Sequence, residues 1–512
     1  MKVVHICAEI APGGAAHSTL NLHHGLLDLG IESWILTGAS RGIVKNCVAL
    51  PDTNIEKESI QCLAEDLVWG NRTQLSNSHF SLDLSGRSIV NHPLIADADV
   101  VNLHWVADFL SSFNIAELAS LRKPVVWTLH DMRPLTGGCH FSAGCARYQD
   151  ECGNCPQLQY DYLNFTKRSL GAMSEAASLL QPFFVAPSNW MLQNIRNSRV
   201  SRELDSTCIA YGLETNLFQP GNLEEARKEL GLTHSGKYIL LASHSMIEKR
   251  KGAMQAIEVL EQLKTDPLLN DLIQSGDLRL LCCGRKSEDF MPQGWEIDHV
   301  GYVTSSNMAH VYQAANIMLF TSTDDNLPNV LLEAMACGLP IVGHAVGGAL
   351  ELLGGDYAGD CLFQIGDYLN GAQLMSKLLK DQGKIYQIEN YFVQKIRDNY
   401  TLRQQAESYQ QLYQKLISKL LMEKPTNIVF QKGESENFVI ESYKYISSLN
   451  REIQACQREI FSYQHEIESL TQQLVASQNE NKLLKKIEDD YKIITKSKVV
   501  RFAGMIGLCH KT

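Results

Sequence analysis

Residues 322–340 have the sequence STDDNLPNVLLEAMACGLP, and the apolar run Ile317–Phe320 directly before them predicts a buried strand. The loop that follows this strand carries two adjacent carboxylates, Asp324 and Asp325, and a helix is expected to begin near Val330. Backbone amides at a helix N-terminus have no partner inside the helix, so they can hold an anion or sugar hydroxyls. The stretch therefore predicts a strand, a polar loop and a ligand-facing helix start.

The helix after this loop has two interpretations. Glu333, expected in its first turn, can accept hydrogen bonds from ligand hydroxyls. The alternative is an ordinary capped helix start, because Asn329 and acidic first-turn residues are favoured there in any case.

A second candidate is the basic element KRKG at residues 249–252, which follows the predicted strand Tyr238–Ser243 and opens a predicted helix. Three cations at a helix N-terminus oppose the helix dipole and cost stability. A bound diphosphate would account for them. The alternative is a solvated basic loop.

A third candidate is the pair Gly13 and Gly14, between the predicted strand Val3–Cys7 and the predicted helix Ala15–Leu29. Two residues without a Cβ let a ligand approach the backbone and the helix N-terminus. A plain turn is the alternative. The pair is not part of a GxGxxG motif, so a site for NAD is not supported.

Strand and helix patterns alternate through both parts of the chain, which predicts parallel sheets with crossover helices. The other strands predicted in the first part are Ser33–Leu36, Val100–His104, Val125–Leu129 and Phe183–Ala186. Those predicted in the second part are Leu278–Cys283, Asp298–Val300 and Pro340–Gly343, with helices at Lys251–Leu263, Ser306–Ala314 and Val330–Cys337. We therefore expect two doubly wound α/β domains, residues 1–200 and 201–385, that face a cleft, with residues 386–423 as closing helices.

The composition is that of a globular protein. The 512 residues are 45% apolar, and 46 Lys and Arg against 57 Asp and Glu give a net charge of −11, which argues against a nucleic-acid binder. The first residues lack the apolar core of a signal peptide, and no apolar stretch is long enough to span a membrane. A cytoplasmic location is the expectation.

The remaining C-terminal sequence predicts an extended assembly region. Residues 424–440 suggest a linker, and apolar residues recur at intervals of three and four between Ile446 and Leu484, which predicts a coiled coil over 441–490 and a homo-oligomer. An amphipathic helix packed on the body is the alternative. Residues 491–512 carry five basic and no acidic side chains among apolar ones, a pattern that fits contact with the inner face of a membrane. A frayed tail is the equally weighted alternative.

Four of the fourteen cysteines are clustered, at Cys139, Cys145, Cys152 and Cys155. In a reducing compartment, four thiols within such a short stretch can complete a tetrahedral structural zinc site. Free buried thiols or a disulfide pair are the alternatives.

The order of these motifs resembles glycosyltransferase family 4. The resemblance rests on the Gly-Gly loop, a histidine after a strand within the first domain, the KRKG element and the spacing Asp325-x7-Glu333 followed by AMACGLP. The stretch VVWTLHD at residues 125–131, which runs into the cysteine cluster, is similar to a subgroup of bacterial surface-polysaccharide transferases. The resemblance covers about residues 1–385 and implies a GT-B fold.

The resemblance also implies residue roles. His130 would contact the donor sugar, Arg250 and Lys251 would neutralise the diphosphate, and Asp325 would lie near the sugar. Residues expected to line the nucleotide-sugar site are Gly13, Gly14, Asn326, Leu327, Pro328, Asn329 and Glu333, the last of them at the ribose hydroxyls.

The implied activity is retaining transfer of a sugar from a nucleotide sugar to a saccharide or lipid-linked saccharide acceptor in polysaccharide biosynthesis. No DxD-type metal motif lies at a strand end, so no catalytic metal is expected, and the cations would stabilise the leaving group. Two features depart from the family pattern. Asp325 stands where the family has glutamate, with Asp324 beside it, and Ser243-His244-Ser245 replaces the usual Gly-Arg. These departures keep two alternatives open, a non-catalytic scaffold with a coiled-coil partner region and a nucleotide-sugar epimerase.

Overall fold

A computed structural model describes residues 1–422 except 12, 41, 51–67, 85, 162–163, 246 and 286–289, and beyond them only residues 462, 466, 469, 485–490 and 492. The predicted linker lies wholly outside the described residues, and the predicted coiled coil and basic tail lie almost wholly outside them. None of the described helices is both long and apolar enough to cross a bilayer.

In the described part of the chain, the strands form two parallel sheets, one of seven strands and one of six. The first sheet contains β1 (Lys2–Ile10), β2 (Glu32–Ser40), β3 (Cys47–Ala49), β4 (Val100–Leu103), β5 (Val125–Thr128), β6 (Phe183–Ala186) and β7 (Ser206–Cys208) in the order β3-β2-β1-β4-β5-β6-β7. The second contains β8 (Lys237–Ser245), β9 (Leu278–Arg285), β10 (Ile297–Gly301), β11 (Ile317–Phe320), β12 (Ile341–His344) and β13 (Leu362–Phe363) in the order β10-β9-β8-β11-β12-β13. Each order reverses once, between β1 and β4 and between β8 and β11, where α/β sheets bind ligands.

The helices connect the parallel strands and cover the sheets. Those of the first domain are α1 (Gly14–Asp28), α2 (Pro93–Asp97), α3 (Ser112–Glu117), α4 (Phe165–Leu180) and α5 (Asn189–Asn197). Those of the second domain are α6 (Leu223–Glu229), α7 (Ala253–Leu263), α8 (Pro267–Gln274), α9 (Ser305–Ala314), α10 (Asn329–Ala336), α11 (Ala349–Leu353), α12 (Ala358–Cys361) and α13 (Tyr368–Lys380). Two longer helices follow, α14 (Gln382–Asn399) and α15 (Leu402–Met422).

The central strands are buried on both faces, which explains why they are continuous apolar runs rather than alternating ones. Every residue of β4, β5, β11 and β12 is buried. Each domain therefore has its own hydrophobic core, and the loops at the carboxyl ends of these rigid strands can hold a site in place.

Three short strands that the sequence did not predict, β3, β7 and β13, complete the sheets. Strand β7 pairs with β6, so the first sheet extends beyond residue 200, where the boundary between the domains is expected from the sequence. The KRKG element also differs, because residues 249–251 form a 3-10 turn and α7 begins only at Ala253.

The last described helix returns to the first domain. Helix α15 buries Tyr409 and Tyr413 against the first sheet. The Tyr413 hydroxyl accepts a hydrogen bond of 2.7 Å from Asn102 Nδ2, and the Tyr409 hydroxyl lies 2.9 Å from Thr128 Oγ1. The chain thus returns from the second domain and packs on the first sheet.

Candidate active site

A cleft between the domains opens at the carboxyl ends of both sheets. Its first cavity has a volume of about 290 Å³. The first domain lines it with Gly13, Gly14, Trp105, His130, Asp131, Phe141 and Tyr211, and the second domain with Ser243, Glu248, Arg250, Lys251 and residues 325–330. Most of the predicted site residues therefore come together at one place.

Two of the three predicted cations reach the cleft. Lys251 Nζ lies 2.7 Å and Arg250 Nη1 3.2 Å from Asp325 Oδ2, whereas the Lys249 side chain is exposed and does not line the cavity. Gly252 ends the turn with a φ of +75°, and a Cβ there would overlap the Thr321 carbonyl oxygen. The turn is therefore pressed against the exit of β11, beside the carboxylate that its cations contact.

The structure separates the two adjacent carboxylates. Burial alone would raise the pKa of Asp325, but the Lys251 and Arg250 cations outweigh it, so this pKa lies below its usual range. Asp324 instead faces the Ala143 backbone amide, and burial raises its pKa to about 7. Asp325 is therefore the carboxylate that belongs to the cleft, and it is ionised at neutral pH.

The loop from Asp325 to Asn329 is fastened to the first domain by its two asparagines. Asn326 Nδ2 donates to the carbonyl oxygens of Leu129 and His130, each at 3.1 Å. Asn329 Nδ2 donates to the Gly14 carbonyl at 3.3 Å. These side chains join the domains, so the groups that α10 offers to a ligand are the amides of its first turn.

The same asparagines have further partners, Ser188 and Ser18. Ser188 Oγ donates to Asn326 Oδ1 at 2.8 Å, and Asn329 Nδ2 lies 3.2 Å from Ser18 Oγ. Behind the loop, a Cβ on Gly347 or Gly348 would overlap the backbone of residues 325 and 326, so these glycines let β12's exit approach the loop closely.

A second cavity of about 480 Å³ adjoins the first and shares Gly13, Gly14, Ser243, Asn329 and Val330 with it. Glu333 lines this second cavity. The sequence predicted Glu333 in the first turn of this helix. Because α10 begins at Asn329, Glu333 lies just beyond that turn. The two cavities together are elongated, with cations beside one part and a carboxylate in the other.

Glu333 is buried with one strong hydrogen-bond donor. The Tyr312 hydroxyl donates to its Oε2 at 2.7 Å, and His17 Nε2 lies 3.8 Å from its Oε1. Burial raises the pKa of Glu333 to about 7, against the opposing effect of Tyr312. A carboxylate in this position can accept hydrogen bonds from neighbouring hydroxyls of a ligand.

His130 lines the cleft, but protein groups occupy both nitrogens of its ring. Its Nε2 lies 3.0 Å from His104 Nδ1, and its Nδ1 lies 2.8 Å from the Tyr211 hydroxyl. A direct hydrogen bond from this imidazole to a sugar would require one of these bonds to break. The predicted sugar contact of His130 stays a prediction.

Sequence reasoning missed five lining residues of the first domain: Ala15, Trp105, Asp131, Phe141 and Tyr211. Asp131 Oδ2 accepts hydrogen bonds from Trp105 Nε1 at 2.8 Å and from His140 Nδ1 at 2.6 Å. The Phe141 ring centroid lies 4.3 Å from the Arg250 guanidinium. Two of them could have been predicted from their position, since Trp105 and Asp131 closely follow the predicted strands β4 and β5, at the edge where such sheets bind ligands.

The four clustered cysteines line one small cavity of about 20 Å³. Burial raises the pKa of Cys155 to about 11 and that of Cys152 to about 12. Among the residues that the structure describes, no group of three or more His, Cys, Asp or Glu side chains has an arrangement that could hold a metal ion. The predicted zinc site is therefore not supported, because nearness along the chain does not bring these thiols into a shared coordination geometry.

Comparisons with known proteins agree with this layout. Residues 237–381 match the family described as glycosyl transferases group 1. A curated relative from Escherichia coli (strain K12), described as putative colanic acid biosynthesis glycosyl transferase WcaC, is 23% identical over 369 residues, which are 69% of this chain and 85% of the relative.

Solved structures share the two-domain architecture. Anabaena Alr3699/HepE in complex with UDP-glucose aligns with a TM-score of 0.54 at 15% identity, covering 81% of this chain and 100% of that chain. Sucrose-phosphate synthase (tll1590) from Thermosynechococcus elongatus aligns with a TM-score of 0.55 at 16% identity, covering 82% of this chain and 100% of that one. At these identities the alignments show a common fold.

Proposed function

We propose that the chain is a group 1 glycosyltransferase, which transfers a sugar from a nucleoside-diphosphate sugar to a saccharide or lipid-linked saccharide acceptor. The transfer retains the anomeric configuration and serves polysaccharide biosynthesis. The relative described as a colanic acid biosynthesis transferase supports the pathway class, and the HepE complex with UDP-glucose supports a UDP-sugar as the first donor to test.

The main support for the proposal is one observation: two cations and a helix N-terminus face the first cavity, and this cavity adjoins the second cavity, which contains Glu333. Arg250, Lys251 and the first amides of α10 suit a diphosphate. Glu333 suits the two hydroxyls of a ribose. The transferred sugar then lies toward Asp325 and the first-domain wall, where the acceptor enters.

The chemistry follows from this placement. When the bond between the anomeric carbon and the diphosphate oxygen breaks, negative charge develops on the diphosphate, and Arg250 and Lys251 stabilise it in place. The acceptor hydroxyl attacks the anomeric carbon from the same face and gives its proton to the leaving phosphate oxygen. Asp325 is held by both cations, so it organises them and does not act as a nucleophile.

The cation pair gives the test. Replacing Lys251 or Arg250 by alanine should lower kcat about 10²-fold or more, as the loss of one fixed electrostatic donor does. Lys249→Ala is the matched control, because that lysine belongs to the same turn but is exposed and does not line the cavity. Steady-state turnover of a UDP-sugar measures all three variants, and wild-type rates for both Lys251→Ala and Arg250→Ala would refute the assignment.

The same assay distinguishes the two alternative functions. A scaffold would neither transfer nor hydrolyse the donor, and an epimerase would return an epimer of the donor without needing an acceptor. Asp325 supports transfer, because it is ionised and contacts both cations. The aspartate that stands where the family has glutamate therefore still reaches the cleft.

We further propose that the heptads between Ile446 and Leu484 join chains into a homo-oligomer and that the basic tail contacts an anionic membrane surface. The support is the sequence pattern. Membrane contact would bring the cleft near a lipid-linked acceptor.

A further inference from the structure

Three buried histidines and a tyrosine form a continuous hydrogen-bonded chain from the interior of the first domain to the cleft. His5 Nδ1 lies 2.9 Å from His104 Nε2, and the contacts of His130 with His104 and Tyr211 continue the series. We name these four residues the histidine chain. Its members come from β1, from the exits of β4 and β5, and from the segment after β7, so the parallel sheet itself brings them together.

The histidines of this chain are uncharged at neutral pH. Burial lowers the pKa of His130 to about 4 and those of His5 and His104 well below their usual range. A neutral imidazole has one N–H and one lone pair. Each ring in the middle of the chain must therefore donate on one side and accept on the other, so all the hydrogen bonds of the chain point in the same direction.

The buried end of the chain decides which direction that is. Nε2 of His5 has no hydrogen-bond partner among the described residues, and the side chain is 0% exposed. If the bonds pointed inward, this nitrogen would carry a buried N–H without an acceptor. If they point toward the cleft, it keeps only a bare lone pair. Buried orphan N–H groups are the rarer of the two in proteins, so the direction toward the cleft is favoured.

This direction determines what Tyr211 can do. His130 Nδ1–H donates to the Tyr211 oxygen, so the tyrosine's own O–H must turn to another acceptor. Ser18 is a further hydrogen-bonding neighbour among the described residues, and its contact opposes the rise that burial causes in the Tyr211 pKa, which is the effect of a hydroxyl that donates to the phenol oxygen. Tyr211 also lines the first cavity, to which Arg250 and Lys251 contribute from the second domain, and it does not line the second cavity, which contains Glu333.

We propose that the Tyr211 hydroxyl donates a hydrogen bond to an oxygen of the transferred sugar, and that His5, His104 and His130 are positioning residues that keep it a donor. The inference rests on the proposed function, because the sugar is the part of a donor that would lie against this wall. It makes Tyr211 a specificity-determining residue: an analogue without that oxygen loses the bond.

The direction of the chain can be measured without any ligand. Nitrogen-15 labelling of histidine in the full chain, with signals assigned by His→Gln variants, distinguishes Nδ1–H from Nε2–H tautomers at pH 7. We expect neutral Nδ1–H rings for His5, His104 and His130. An Nε2–H tautomer or a charged ring at His104 or His130 would overturn the inference.

The contact with the sugar is tested by calorimetry on Tyr211→Phe. UDP-glucose, UDP-galactose and GDP-mannose are screened on the wild type, and the tightest of them is compared with its nucleoside diphosphate. We expect Tyr211→Phe to weaken the nucleotide sugar about tenfold and to leave the nucleoside diphosphate unchanged. Tyr148→Phe is the matched control, because its buried hydroxyl donates to Asn194 Oδ1 at 2.7 Å and it does not line the cleft.

The outcomes separate the two proposals. If the wild type binds no nucleotide sugar, the proposed function and this inference both fail. If it binds one and Tyr211→Phe binds it equally well, only the role of Tyr211 is wrong. Equal losses for the nucleotide sugar and its nucleoside diphosphate would also overturn the role, because they would show a general disturbance of the cleft.

Discussion

Asp325 lies between two cations, and this contact shows how the diphosphate region is held before a donor arrives. Two carboxylates balance the two cations: Asp325 contacts both Arg250 and Lys251, and Glu248 Oε1 lies 2.9 Å from Arg250 Nε. The ion pairs fix both long side chains, which would otherwise lose conformational entropy on binding. The shorter side chain of aspartate still reaches both cations because the 3-10 turn lies directly against the exit of β11.

Glu333 should make stability depend on pH. Its pKa is about 7 in the folded chain because of burial, against 4.5 as the ordinary value. Between these pH values the folded form keeps a proton that the unfolded form releases, so the free energy of unfolding falls as pH rises through this window. Glu333→Gln removes this cost and should be more stable than the wild type at pH 8, by at most about 3 kcal/mol, with little difference at pH 5.

Urea unfolding at both pH values measures the difference. Glu229→Gln is the control, because Glu229 is exposed and its replacement should leave the pH dependence unchanged. Asp324, whose pKa is also raised to about 7 by burial, contributes a slope of the same sign that is common to all three proteins. A difference between Glu333→Gln and wild type that is equal at pH 5 and pH 8 would show that Glu333 ionises normally.

The residues that spacing alone grouped into one site are those close together along the chain. Arg250 and Lys251 share one turn, and Asp325 and Glu333 flank one helix start, so local spacing was enough to group them. His5, His104, His130 and Tyr211 are far apart in sequence, and only the pairing of β1, β4 and β5 brings them together. No local pattern carries that information.

At the scale of elements, the turn at residues 249–252 depends on one glycine. Gly252→Ala should destabilise the protein and lower kcat by up to about 10²-fold, because the new Cβ overlaps the Thr321 carbonyl and displaces both cations. Urea unfolding and steady-state kinetics measure the two effects.

Gly231→Ala separates overlap from backbone strain. Gly231 also has a positive φ, +69°, but nothing lies within 4 Å of a Cβ built there. Its replacement should cost only about 1–2 kcal/mol for the left-handed backbone and leave kcat unchanged. Similar effects of the two variants on kcat would show that the turn does not position the cations.

The strands predicted from sequence include every central one, and the partly exposed edge strand β10 was predicted as well. The uninterrupted apolar runs of the central strands follow from burial on both faces, so β4, β5, β6 and β11 were located within a residue or two. The short strands β3, β7 and β13 were missed, because they have only two or three residues each and are partly exposed. Their apolar patterns are too short to separate a strand from a loop.

For the whole molecule, the cleft and the oligomerisation region are expected to be separable. Deleting residues from 437 onward should leave an active monomer, because every residue that lines the two cavities lies before residue 334. Light scattering gives the mass of both proteins and a transfer assay gives their rates. The deletion should also weaken binding to anionic vesicles, by about 1 kcal/mol for each cation that touches the surface.

A chain that is truncated after residue 490 is the control, since it lacks the tail and keeps the heptads. It should remain oligomeric while it loses the vesicle contact. If the full chain is already monomeric at micromolar concentration, or if the longer deletion leaves the oligomeric state unchanged, the heptads do not join chains.

The hydrogen bonds of Asn326 and Asn329 to the opposite domain have a kinetic consequence. The loop that would grip the donor is also the loop that holds the cleft shut, through Leu129, His130 and Gly14. Separation of the domains and loosening of the grip are therefore one event. If the spent nucleoside diphosphate leaves only when the domains separate, its residence time depends on how often these bonds break together.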